Sequence, residues 1–250
     1  MSRVFPFTLG PCLGERANLG LVVLQSDETL EHDFRRLLPE TGVALYVSRI
    51  QSGAEVTTES LSEMEARLPD AAGRLPRPIG FDVVGYGCTS GTSVIGAGRV
   101  AELVRDGVTT RSVTEPVTAL VAACAALGIR RLALLSPYVA EVSDGLRRVL
   151  AQAGIETPVF GSFDEAEETR VARIDAASLM AAGQALMEDT RAEALFLSCT
   201  NLRTLDVIAP LEAVVGRPVL SSNQVLGWHM MRQAGLQDRV TGRGQLFDRA

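Results

Sequence analysis

The chain has 250 residues, 46% of them hydrophobic and 22% charged, which is enough to bury a substantial core as one or two domains and too apolar for a disordered chain. A net charge of −6 with scattered arginines argues against a nucleic-acid surface, and no window approaches the roughly 18 uninterrupted apolar residues of a membrane span. Four widely spaced cysteines do not make a disulfide framework, no Cys or His pair has zinc-ligand spacing, and the start has no continuous signal-peptide core before Gly14-Glu15-Arg16. Reduced thiols and a cytoplasmic setting are therefore expected.

Residues 1–18, with Pro6 and Pro11, read as an irregular lead-in in which Cys12 has no role. Residues 19–25 form an apolar run that does not alternate, the mark of a parallel strand covered on both faces. Ser26-Asp27-Glu28-Thr29 opens a helix with Leu30, Phe34, Leu37 and Leu38 on one face. A strand over 43–50, a helix over 60–72, a strand over 81–87, a helix over 92–105 and a short strand near 111–113 follow. Glu115-Pro116 starts the series again, with helices over 117–127, 139–151, 175–188 and 201–215 and strands over 131–135, 155–160, 194–198 and 218–220. Residues 161–173 are a polar, acidic loop, residues 221–224 a turn before a helix holding Trp228 and His229, and the chain beyond Leu236 a loose tail. This alternation predicts an α/β fold of parallel sheets with ligands bound beyond the carboxyl ends of the strands.

Two stretches carry the chemistry. In Gly85-Tyr-Gly-Cys88-Thr-Ser-Gly-Thr92 and in Leu197-Ser-Cys199-Thr-Asn-Leu-Arg-Thr204 a cysteine stands where a buried strand gives way to a helix. The free N–H groups of a helix start favour thiolate over thiol, so both sulfurs are candidates for nucleophile or base. Each alone is equally readable as a small buried apolar residue, but the repetition of the layout suits two similar α/β halves with one thiol apiece. Cys124 sits on an apolar helix face as core. Gly85-x-Gly87-x-x-x-Gly91 misses the dinucleotide fingerprint, since Ser90 stands where the third glycine belongs. His32 and His229 lack a matching partner, and no Gly-x-Ser-x-Gly elbow is present.

The two cysteine motifs, with Leu134-Leu-Ser-Pro-Tyr138 between them, resemble the maleate cis–trans isomerase branch of the aspartate/glutamate racemase superfamily, and within it the ectoine-utilisation protein group. The resemblance runs from about Leu19 to about Leu236. It implies two pseudo-symmetric, doubly wound parallel-sheet halves with the active site between them, no cofactor and a C-terminal helix that returns to the first half. The halves are expected at 1–114 plus 221–250 and at 115–220, and a homo-oligomer is expected. By the resemblance Cys88 and Cys199 are the catalytic pair, and Thr89, Ser90, Thr200 and Asn201 hold a substrate carboxylate. Tyr138 gives a hydroxyl contact.

Arylmalonate decarboxylases of the superfamily carry one of the two cysteines, which counts against their reaction here. Maleate isomerases place asparagines where this chain has Asp27 and Glu168. Carboxylates only accept hydrogen bonds, so the pair fits an amino-acid substrate, such as an ectoine-catabolism intermediate, better than a dianion. Alternatively Asp27 simply caps its helix. The expected activity is a cofactor-independent isomerase or racemase acting on a small carboxylate. The alternatives are maleate isomerisation and non-catalytic metabolite binding.

Overall fold

The computed structural model describes residues 2–53 and 57–248. Residues 1, 54–56 and 249–250 lie outside the described residues, and with them the outermost limits of the first expected half. β1 (Ala17–Leu24) is central in its sheet, with β2 (Val43–Ile50) and β3 (Phe81–Gly87) paired to it in parallel on either edge, and it is almost wholly buried, as expected where helices cover both faces. β4 (Thr110–Thr114) joins β3, giving the order β2-β1-β3-β4. α1 (Leu30–Leu37) buries Leu30, Phe34 and Leu37. α2 (Thr58–Gly73) starts two residues earlier than the sequence predicts because Thr57 and Ser60 form a capping box, each side chain accepting from the other's backbone N–H at 3.2 and 3.0 Å. The single helix expected over 92–105 is two helices, α3 (Thr89–Ile95) and α4 (Ala97–Gly107), broken at Gly96, whose φ of +91° suits only glycine.

The second series repeats the first. α5 (Pro116–Leu127) is capped by Glu115, whose carboxylate accepts from Val117 N at 2.6 Å and Thr118 N at 3.0 Å. β5 (Arg131–Ser136), α6 (Ala140–Gln152), β6 (Glu156–Ser162), the one-turn α7 (Glu168–Val171), α8 (Ala176–Met187), β7 (Ala194–Leu197), α9 (Ile208–Val215) and β8 (Val219–Ser221) follow. The second sheet is wholly parallel in the order β6-β5-β7-β8, which matches the first position by position. The corresponding strands β3 and β7 are the ones that lead into Cys88 and Cys199.

Three further expectations change. The helix expected from residue 201 begins only at Ile208. Two carbonyls that would have continued it are taken elsewhere, Thr200 O by Asn223 Nδ2 at 2.8 Å and Asn201 O by the Thr29 hydroxyl at 2.9 Å. Residues 222–233 form α10 (Ser222–Gln233) rather than a turn and then a helix, because Ser221 and Gln224 make a second capping box. α10 leaves β8 of the second sheet and packs against β3, β4 and α1 of the first and against α5, so it is the seam between the two sheets. The tail is not loose. α11 (Gln245–Asp248) buries Leu246 and Phe247, and Glu212 of α9 accepts from Gln245 N at 3.0 Å.

The packed tail has a measurable consequence. Phe247 is fully buried, so Phe247→Ala should lower the unfolding free energy by about 3–5 kcal/mol in chemical denaturation. A change within about 0.5 kcal/mol, the usual effect at an exposed site, would restore the loose-tail reading.

Candidate active site

β3 ends at Gly87 and hands Cys88 to α3 as its N-cap residue in extended backbone. Cys88 Sγ accepts from Gly91 N at 3.1 Å. Gly91 has to be glycine for this, since a Cβ there would stand 2.8 Å from Cys88 Sγ and 2.7 Å from the Tyr86 hydroxyl. The next residue, Thr89, pairs its hydroxyl with that of Ser222 at 2.8 Å, and Ser222 Oγ in turn accepts from Cys199 N at 3.0 Å. The first residue of α10 thus ties the two cysteine turns together. Sequence reasoning passed over Ser222. Its signal was the Ser221-x-x-Gln224 box, which marks a helix start at the end of a strand.

Cys199 lies two residues beyond β7 with a φ of +146°, a region L-residues avoid and occupy only where surrounding contacts hold them, typically at functional sites. Those contacts are visible. Besides the bond to Ser222, Cys199 Sγ accepts from Asn201 N at 3.2 Å and lies 3.0 Å from the Tyr138 hydroxyl, which the Ser-Pro-Tyr turn after β5 brings in. Tyr138 donates to Glu168 Oε1 at 2.6 Å, and Asn201 Nδ2 donates to Glu168 Oε2 at 2.6 Å. Asn201 Oδ1 accepts from Glu28 N at 2.9 Å.

Cys88, Thr89, Ser90, Tyr138, Glu168, Cys199 and Thr200 line one narrow cavity together with Leu24 and Leu61. Its volume of about 20 Å³ holds one water molecule. Of the residues that the sequence assigns to the site, Asp27 and Asn201 do not line it. Asp27 Oδ1 caps α1, accepting from Thr29 N and Leu30 N at 2.8 Å each, and the Thr200 side chain hydrogen-bonds to the same buried carboxylate. Glu168 borders the cavity with both carboxylate oxygens engaged by Tyr138 and Asn201, which an asparagine-for-glutamate comparison does not reveal. A larger, open groove of about 810 Å³ around Arg147 and Arg148 holds neither thiol. Among the described residues no group of three or more His, Cys, Asp and Glu is placed to hold a metal ion, and no helix is long and apolar enough to cross a membrane.

A family model described as arylmalonate decarboxylase matches residues 39–247. The arylmalonate decarboxylase of Bordetella bronchiseptica is 32% identical over 222 residues, 85% of this chain and 92% of its own. The chain belongs to the arylmalonate decarboxylase family. The maleate isomerase of Nocardia farcinica is 27% identical over 244 residues, 92% of this chain and 94% of its own. A solved structure of a Nocardia farcinica maleate cis-trans isomerase mutant with a covalently bound succinylcysteine intermediate superposes with a TM-score of 0.83 at 25% identity, covering 92% of this chain and 98% of that one. The two four-stranded parallel sheets are the fold of these relatives, and the chain is an enzyme of this family.

The electrostatics of this family member differ from the sequence expectation. Burial pushes the Cys88 thiol up to about 12, with the Glu168 and Asp27 carboxylates adding to it and the Gly91 N–H and Tyr86 hydroxyl opposing. Burial likewise holds Cys199 well above the usual thiol range, again with Glu168 adding to it. The expected thiolates are therefore thiols at rest, since desolvation and nearby carboxylates outweigh the few N–H groups present. At Cys199 the helix that was to supply those groups starts nine residues later. Burial also raises Asp27 and Glu168 above the ordinary carboxylate range.

Asp33, on the buried face of α1, is raised from 3.8 to about 6 by burial, although Asn223 Nδ2 donates to it at 2.8 Å. Because its folded value lies above its unfolded one, the stability it contributes is full below about pH 4 and is lost as pH rises through about 6, a penalty of about 3 kcal/mol. Asparagine can still accept from Asn223. The melting temperature of Asp33→Asn relative to the parent should therefore rise between about pH 4.5 and about pH 7.5. A difference independent of pH would contradict the assignment.

Proposed function

We propose that the protein is a cofactor-independent isomerase or racemase that works on a small carboxylate with Cys88 and Cys199 as opposed acid and base. The observation that carries this reading is that equivalent strands of two matching sheets, β3 and β7, each end in a cysteine whose sulfur lines the same cavity. Two thiols on one cavity suit chemistry at a single carbon approached from two sides. In racemisation one thiolate removes the α-proton and the opposite thiol returns one to the other face. In cis–trans isomerisation a thiolate adds to one alkene carbon, the new single bond rotates, and the thiolate leaves again. Thr89, Ser90 and Thr200 supply hydroxyl and backbone donors for the substrate carboxylate. A four-carbon acid exceeds a cavity of about 20 Å³, so its entry requires lining side chains to give way.

The charge of the site supports an amino acid over a diacid. Among the described residues lining the cavity there is no Arg or Lys, Glu168 is one of them, and the Asp27 carboxylate behind the lining is close enough to act on both thiols, so the site favours a positively charged or donor-bearing group. An acylated diamino acid of ectoine breakdown is the first candidate, by the resemblance of the cysteine motifs to ectoine-utilisation proteins. Maleate isomerisation is the second reading, favoured by the similarity to the maleate isomerase of Nocardia farcinica.

Cys88→Ser and Cys199→Ser should each lower turnover by roughly 10²–10⁴-fold while leaving the thermal transition nearly unchanged, serine being a far poorer base of similar size. Racemisation followed by polarimetry over a panel of amino-acid enantiomers, with maleate as a parallel substrate, reads this. Full activity in either variant would end the two-thiol reading.

Asp27→Asn separates the two substrate classes. Asparagine caps a helix about as well as aspartate, so stability should hold. Affinity for an ammonium-bearing substrate should fall and affinity for maleate should improve, both through loss of a negative charge behind the cavity. Unchanged preference would reduce Asp27 to a cap and remove the argument for an amine.

A further inference from the structure

The hydrogen bonds leading away from Cys199 form a closed, buried chain. Tyr138 gives its one hydroxyl proton to Glu168 Oε1 at 2.6 Å, which leaves the phenol oxygen, 3.0 Å from Cys199 Sγ, as acceptor for the thiol proton. Asn201 closes the loop, its side chain donating to Glu168 Oε2 at 2.6 Å and its backbone N–H to the sulfur at 3.2 Å. Cys88 has no such path. Its neighbours are the Gly91 N–H and the Tyr86 hydroxyl, and that hydroxyl is directed at Met64 Sδ at 3.7 Å.

We propose that Glu168, acting through the Tyr138 hydroxyl, is the proton store of Cys199, so that this thiol ionises by passing its proton inward rather than to water. The inference rests on the two-thiol reading and gives Glu168, which borders the cavity, a role in holding the proton of Cys199. In the step, the S–H bond of Cys199 breaks and its proton bonds to the Tyr138 oxygen. The original Tyr138 O–H bond breaks and that proton bonds to Glu168 Oε1. Thiol, phenol and carboxylate become thiolate, phenol and carboxylic acid, with one negative charge before and after.

Conservation of charge is what makes the path useful in a dry site. Ionising Cys199 to bulk water would set a second anion beside Glu168, with Asp27 close by, whereas relocating the existing charge adds none. The titratable groups facing Glu168 from the surrounding elements are Asp27 after β1, Cys88 after β3, Tyr138 after β5 and Cys199 after β7. The cation acting on Asp27 is Arg49, which donates to its backbone carbonyl at 2.9 Å. Asp27 favours the protonated form of Glu168 once the proton has arrived, and Asn201 N–H favours the thiolate left behind.

The test uses the whole chain and hydrogen peroxide, a probe little larger than water, with sulfenic acid at each cysteine trapped by dimedone in a denaturing quench and counted by peptide mass spectrometry. A thiol that titrates against water with a high pKa becomes about tenfold more reactive per pH unit, whereas one that titrates against an internal carboxylate has a thiolate fraction independent of pH. Between about pH 6 and about pH 9 the oxidation rate of Cys199 should be flat, while those of Cys88 and Cys124 rise about tenfold per unit and serve as internal controls. Glu168→Gln and Tyr138→Phe should each convert Cys199 to the tenfold slope and slow it at least about tenfold at neutral pH. A purely structural Glu168 would leave the slope alone. A tenfold slope at Cys199 in the unmodified protein overturns the relay without any variant having to fold, as does a flat profile that survives Glu168→Gln or an unreactive Cys199 at every pH. Since Cys199→Ser turnover is a separate measurement, loss of the relay and loss of the two-thiol reading are told apart.

Discussion

A thiol that is to act as a base must lose a proton in a site from which water has been largely removed, and this constraint governs the rest of the structure. Cys88 and Cys199 are each about 95% buried, and burial holds both in the protonated form. One backbone N–H and one tyrosine hydroxyl at each sulfur oppose it. The tyrosine is Tyr86 for Cys88 and Tyr138 for Cys199, but only Tyr138 leads on to a carboxylate. The two halves therefore match in backbone and differ in proton chemistry.

The matching backbone comes from repetition of one sheet order, which sets β3 and β7 at equivalent positions and their cysteine turns at one cavity. Holding the two turns together falls to α10. Its first residue bonds to both, and Asn223 beside it links Asp33 on α1 to the carbonyl of Thr200. The strained backbone at Cys199 sits at the end of this network, where the buried bonds from Ser222, Asn201 and Tyr138 are available to offset about 1–3 kcal/mol of conformational cost.

Much of this was legible in the sequence. A parallel strand buried on both faces reads as an unbroken apolar run, which makes β1 legible to within two residues, and both cysteine turns are legible at strand ends. What escaped depends on contacts between residues far apart in the chain. The helix after Cys199 is delayed because Thr29 and Asn223 take its carbonyls, and no local pattern in residues 201–207 records that. Glu168 lay in a stretch read as a polar loop, and its engagement by Tyr138 and Asn201 exists only once β5 and β7 are side by side. The raised thiols follow from the same cause, since enclosure by both halves outweighs the helix-start N–H groups that the sequence advertises.

The claim that the two thiols serve opposite faces of one carbon is tested most directly by proton exchange in deuterium oxide. Exchange of the α-proton is followed by nuclear magnetic resonance on each enantiomer of the amino acid the protein racemises, for the parent and for both single serine variants. The account predicts that Cys88→Ser keeps exchange on one enantiomer only and Cys199→Ser on the other only. Loss of exchange on the same enantiomer in both variants, or exchange that persists when both cysteines are replaced, would contradict it.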